Sequence, residues 1–294
     1  MSKTDHIESF MRAGDLGLDS THSCGEDEMK QAGLVEEADE LDAGEIWIAV
    51  DGERSKEIMP RALDSMVQMS LRILNDTSMW KAGDWKTGSR MKKLGNEPII
   101  LDESEILLWT GKFSHGCYGS DVPCVKSMGL VNMSPRNLAL MLLDSSKVKT
   151  YNKISQGRTD EVLLQTGIDT INGPFGDGET KIIRSVNKPP LVRTTLEFVS
   201  ILHVRKLNPE EGEGNGYIAV GRSVTRPSKN SGKSRLRNEI LLNVHLMKPV
   251  EGFEDRTEMI NINHFKSALV PAMIAKQMGL SSAGSFIKDI RSAC

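Results

Sequence analysis

Between residues 160 and 247 the chain passes through β-prone segments with no helical pattern between them, and it then closes on one long helix. The segments are Asp160–Gln165, Thr180–Val186, Thr195–Arg205, Gly216–Thr225 and Leu236–Met247. The first two are separated by the turn signals Asn172-Gly173-Pro174 and Gly176-Asp177-Gly178, and loops of Gly, Pro, Asn and Ser separate the others. Parallel strands need long crossovers, usually helical, so strands in series imply an antiparallel meander. Two further strands are expected upstream, at 105–113 and 122–131. The closing helix is expected over 271–292, with Pro271 in its first turn, where a missing N–H is tolerated. Gly279 and Gly284 weaken it by up to about 1 kcal/mol each, yet they let it lie close to a neighbour.

An amphipathic helix precedes the strands. Met59, Leu63, Met66, Val67, Leu71 and Leu74 follow helical spacing, and Asn75-Asp76 ends the run. Trp80 and Trp85 lie just beyond, in a polar stretch, each placed to wedge against a sheet edge. Residues 1–56 read differently. Glu36, Glu37, Asp39, Glu40, Asp42 and Glu45 form a run with no basic residue among them. Such a segment buries too little apolar surface to offset its ordering entropy. We expect a mostly disordered acidic arm, with room for a short strand at Ile46–Val50, and a folded domain over 57–294. The arm has a second reading, as a docking or autoinhibitory segment.

The chain of 294 residues is long enough to bury a large core, and its net charge of −3 gives no global basic excess. Nucleic acid is therefore not an expected partner. The four cysteines form no Cys-x-x-Cys pair, so a reducing, cytoplasmic setting is expected. The N-terminus lacks the apolar run of a signal peptide, and no stretch approaches the roughly 20 apolar residues that span a bilayer. Membrane contact would then be peripheral.

The segment from Val131 to Asn152 has its own grammar. Ser134 suits an N-cap and Pro135 the first helical position, and Leu138, Met141 and Leu142 fall on one face. Asp144 ends the helix, and Tyr151-Asn152 follows. This resembles the START lipid-binding family, in which a short helix ends in an aspartate and a Trp-Asp pair follows; Tyr151 stands at the tryptophan. Four other stretches resemble the family in the right order. They are Trp80 after the first helix, Lys188–Val199 with Glu197 at a family aspartate, Gly221-Arg222-Ser223-Val224, and Arg237-Asn238-Glu239. The length and position of Phe265–Arg291 agree too. The resemblance covers about 58–294. It implies an α+β helix-grip fold, a curved antiparallel sheet wrapped around the C-terminal helix, holding one lipid inside.

Candidate ligand-binding residues combine strand alternation with that resemblance. On 195–205, Leu196, Phe198, Ser200, Leu202 and Val204 share one face, and a serine among large apolar groups suits either a cavity wall or a tight core position. Ala219, Gly221, Asn243 and His245 join them from the next two strands. Met273, Ile274, Gln277 and Met278 would face the cavity from the closing helix, where methionine adapts to irregular apolar shapes, or else pack as ordinary core. Sterol-carrying members of the family place an arginine where Leu202 stands here, so Arg184 on the preceding strand is the candidate for an internal charge, its other reading being a solvated sheet-edge arginine. A sterol, phospholipid, sphingolipid or fatty acid all remain as ligand, with a membrane surface as transient partner. The chain is expected to act as a carrier or sensor rather than as an enzyme, with no cofactor or metal. The alternative is a regulatory or scaffolding module acting through the acidic arm.

Other signals point away from chemistry. Ser231-Gly232-Lys233-Ser234 resembles the end of a phosphate-binding loop, but Pro227 stands where its first glycine is required. The basic residues from Arg222 to Arg237 fit a solvated hairpin first, with contact with anionic headgroups as the alternative. His115, Cys117 and Cys124 lack the ligand number and spacing of a zinc site.

Overall fold

The structure, a computed structural model, describes residues 55–82, 101–112, 124–189, 195–211, 215–224, 238–267, 270 and 272–294. The acidic arm up to residue 54, Trp85 and the loop of 225–237 lie outside them.

Helix α1 (Ser55–Asn75) leads into β1 (Trp80–Ala82), β2 (Ile106–Gly111) and β3 (Cys124–Val131). Helix α2 (Pro135–Leu143), a 3₁₀ turn (Ser145–Lys147) and the one-turn α3 (Val148–Tyr151) follow. Then come β4 (Ser155–Gln165), β5 (Glu179–Asn187), β6 (Leu196–Lys206), β7 (Tyr217–Ser223), β8 (Asn238–Val250), β9 (Phe253–Ser267) and α4 (Ala272–Ala293). The strands form one nine-stranded sheet in the order β1-β2-β3-β9-β8-β7-β6-β5-β4. All pairs are antiparallel. The α+β helix-grip architecture expected from the sequence is present.

Strand alternation decides what each face does. One face carries Ile182, Ile201, Ile218, Val220, Val244 and Ile262, and α1 packs on it through the stripe read from its sequence, Met59 to Leu74. Lys126 is buried on this side. Its Nζ donates to Leu74 O at 3.0 Å, at the end of α1, and lies 5.3 Å from the ring centroids of both Trp80 and Trp109. Burial, with the nearby Lys248 charge, lowers its pKa to about 8. Trp80 does wedge at the edge: it sits on β1 and its Nε1 donates to Ile73 O at 2.9 Å.

The other face meets α4. Ile106, Leu108 and Val125 pack against Leu280, Ala283 and Ile287. Gly279 is required here, since a Cβ would come within 2.9 Å of Val125 Cγ2. Arg291 clamps the far end of α4, donating to Leu130 O (2.7 Å), Ser104 O (3.1 Å) and Glu105 O (2.9 Å). Helix α2 forms as its caps predict, with Ser134 Oγ accepting from Asn137 N. Leu138, Met141 and Leu142 bury with Val204, Tyr217, Met247 and Ile290, which closes one end of this face.

One strand went unread in the sequence. β9 is the longest in the sheet at 15 residues, and it pairs with β8 through a two-residue turn, Glu251-Gly252, with Gly252 at φ 78°. The Glu-Gly signal is there, but Glu254, Asp255 and Arg256 break the apolar alternation just after it.

Candidate ligand cavity

A cavity of about 770 Å³ lies between the α4-facing side of the sheet, the α3–β4 segment and α4 itself. That volume is in the range of small-molecule sites. It exists because this side of the sheet carries short or polar groups where a filled core would carry large ones: Ser185 on β5, Ser200 on β6, Ala219 and Gly221 on β7, and Asn243 on β8. A Cβ on Gly221 would lie 3.2 Å from Ile201 O and 3.8 Å from Asn243 Cβ. Leu196, Phe198, Leu202, Ile240 and Phe265 supply the apolar wall.

Of the residues singled out in the sequence, Phe198, Ser200, Leu202, Ala219, Gly221, Asn243, His245, Gln277 and Met278 line this space. Arg184, Met273 and Ile274 do not. Arg184 points to the opposite face, is exposed, and pairs with Glu161 on β4 at 3.0 Å. Its neighbours Ile182 and Ile183 are both buried, one on each face, so apolar alternation gave no indication of which side was internal. Met273 is 70% exposed in the first turn of α4. Ile274 packs with Val270, Ala275, Leu196 and Phe198, behind the wall rather than on it.

The polar groups of the cavity form cross-strand rungs. His245 lies opposite Asn261, and Asn261 opposite Ser127. His245 Nδ1 is 2.7 Å from Asn261 Oδ1, and Asn261 Nδ2 donates to Ser127 Oγ at 3.2 Å. One rung on, Asn243 Nδ2 donates to Asn263 Oδ1 at 2.6 Å. Burial lowers the His245 pKa to about 4; the Asn261 bond opposes this and the Arg158 charge adds to it. The imidazole is therefore neutral near pH 7.

Several wall residues were not read from the sequence. Phe286 of α4 stacks on His245, and Tyr151 meets Phe286 edge-on at 5.9 Å. Arg158 reaches in from β4 and donates to Leu142 O (2.7 Å), Leu143 O (2.8 Å), Ser145 Oγ (2.9 Å) and Tyr151 OH (3.3 Å). It thus holds the carbonyl end of α2, where a cation is favoured. Lys153 and Asp289 form a 2.8 Å ion pair between the α3–β4 link and α4, both at the cavity. Asn263 would have followed from alternation had β9 been recognised. Arg158 sits on a bulged edge strand and carried no sequence signal.

No family model matches the sequence, and no curated protein matches it. Solved structures do share its fold. Human StAR-related lipid transfer protein 5 superposes with a TM-score of 0.55 at 13% identity, over 82% of this chain and 97% of that one. Human STARD10 gives 0.52 at 11%, over 77% of each chain. The lipid transfer and protein localization domain of human StarD13 (DLC2) gives 0.51 at 12%, over 79% of this chain and 95% of that one. Strand order, the α4 grip and these superpositions together identify the fold of this chain as the START helix-grip fold.

Proposed function

We propose that this chain binds a single lipid in the cavity and carries or senses it between membranes, without catalysing a reaction. The observation that carries the reading is the cavity of about 770 Å³, with an apolar wall and a few polar groups, under a helix that covers it. Burial of apolar ligand surface supplies the driving force, at about 25 cal/mol per Å². A ligand hiding roughly 400 Å² of its own apolar surface would gain about 10 kcal/mol before the costs of association. The fold shared with proteins named for lipid transfer supports the same reading.

In this proposal residues 57–294 are the lipid-binding domain, Ser200, Asn243, His245 and Gln277 are the polar contacts, and a membrane is a transient partner of a cytoplasmic protein. Among the described residues no helix is long and apolar enough to cross a membrane.

The test is transfer of a fluorescent lipid from donor to acceptor vesicles, with binding measured in parallel. Accelerated transfer supports carriage. Stoichiometric uptake without acceleration supports sensing. Absence of uptake across sterol, phospholipid, sphingolipid and fatty-acid probes overturns the proposal.

A further inference from the structure

The two polar rungs across β8 and β9 are incomplete in a specific way. Asn261 turns its amide nitrogen to Ser127, so its oxygen faces His245 Nδ1. Nδ1 therefore carries the proton, and Nε2 is left as a bare acceptor. Phe286 covers the ring face, with centroids 5.3 Å apart, so the free edge of the imidazole is the Nε2 edge. In the next rung Asn243 spends an N–H on Asn263 Oδ1, which leaves Asn243 Oδ1 and Asn263 Nδ2 with no protein partner among the described residues. His245, Asn243 and Asn263 are each only partly buried and all line the cavity. Two acceptors and one donor are held in place, on rigid strands, with unused hydrogen-bonding capacity.

We propose that these rungs are the polar subsite of the cavity and take the uncharged end of an apolar ligand, a hydroxyl or an amide, whose O–H or N–H donates a hydrogen bond to His245 Nε2. This rests on the lipid-binding reading above and specifies the ligand chemistry. Asn263 Nδ2 donates back to the oxygen of the same group. A carboxylate or phosphate would face two lone-pair acceptors, and an unpaired anion in an apolar cavity is costly. His245 does not offset it, because burial and the Arg158 charge keep the ring neutral. Among the described residues three cations line the same cavity: the Arg158 guanidinium is taken up by the Leu142 and Leu143 carbonyls, Ser145 and Tyr151, Lys153 is paired with Asp289, and Lys288 is exposed to solvent.

The test is displacement of a neutral apolar fluorophore, N-phenyl-1-naphthylamine, from the full chain by dodecan-1-ol, dodecanamide, dodecyl methyl ether and dodecanoate near neutral pH. The alcohol or the amide is expected to bind at least about fivefold more tightly than the ether, the size of one net hydrogen bond, and more tightly than the carboxylate. Which of the two leads separates a hydroxyl ligand from an amide one. His245→Phe keeps an aromatic ring and is expected to bring the alcohol-to-ether and amide-to-ether affinity ratios to about one. Should that variant not fold, the wild-type series decides alone. Equal binding of alcohol, amide and ether, with the fluorophore still taken up, overturns the subsite and leaves the carrier reading standing. Tightest binding of dodecanoate overturns it in favour of an anion at Arg158. No uptake of fluorophore or of any lipid overturns the carrier reading, and the subsite with it.

Discussion

Phe286 of α4 stacks on His245 of β8 with ring centroids 5.3 Å apart and planes inclined by 30°. It is the contact through which the closing helix touches the polar floor of the cavity, and Tyr151 of α3 braces it from the side. Phe286→Ala removes both aromatic contacts at once. The expected cost is about 2–3 kcal/mol of unfolding free energy, read as a lower urea midpoint at constant m-value. A change below about 0.5 kcal/mol would show that α4 is held elsewhere.

His245 also makes stability depend on pH. Its folded pKa, about 4, lies below the ordinary value of 6.5, so the unfolded chain binds the proton first. The stabilising contribution is complete above pH 6.5 and is lost progressively as pH falls toward 4. His203, buried on the α1 side beside Thr180 and pushed to about 3, acts in the same direction. Between these limits each group contributes a slope of about 1.4 kcal/mol per pH unit. His245→Gln is expected to reduce the slope of unfolding free energy against pH by about that amount between pH 5 and 6. An unchanged slope would mean that the ring is protonated in the folded state.

Ser200 separates a cavity wall from a packed core. It is 2% exposed, on the cavity side of β6 between Phe198 and Leu202. Ser200→Phe has room to project into the cavity, so the fold is expected to survive with stability within about 1 kcal/mol. Ligand uptake is expected to fall at least tenfold. Overpacking of a filled core would instead cost about 1–3 kcal/mol or more, and intact uptake in the variant would contradict the wall assignment.

Ligand release has a candidate latch. The Lys153–Asp289 pair, at 2.8 Å, joins the α3–β4 link to α4, with 73% of the lysine side chain exposed and 9% of the aspartate. Arg291, two residues on, separately anchors the last turn of α4 to backbone carbonyls. Lys153→Ala is expected to shift stability by about 1 kcal/mol or less, as partly exposed pairs do, while raising the dissociation rate of a fluorescent lipid several-fold in stopped flow. A rate equal to the wild type would remove the pair from the exit path.

Much of the fold was written in local signals. The Ser134-Pro135 cap, the Met59-to-Leu74 stripe and the Leu196-to-Val204 alternation each report on one element and on one apolar neighbour, which is what sequence periodicity encodes. β9 was missed because its charged first third hides an alternation that begins only near Met259. The cavity was legible to the extent that β6, β7 and β8 alternate cleanly. Arg184 had two readings because the adjacent Ile182 and Ile183 give its strand no preferred inside, and the structure takes the solvated one. The roles of Arg158, Phe286 and Asp289 depend on how α2, α3 and α4 meet, a relation between distant segments that no local pattern records.

The most direct test of lipid carriage is native mass spectrometry of the full chain purified from cells, with extraction of whatever it holds. A one-to-one complex with a single class of lipid is the expected result. A ligand-free mass that persists after incubation with mixed liposomes would contradict it.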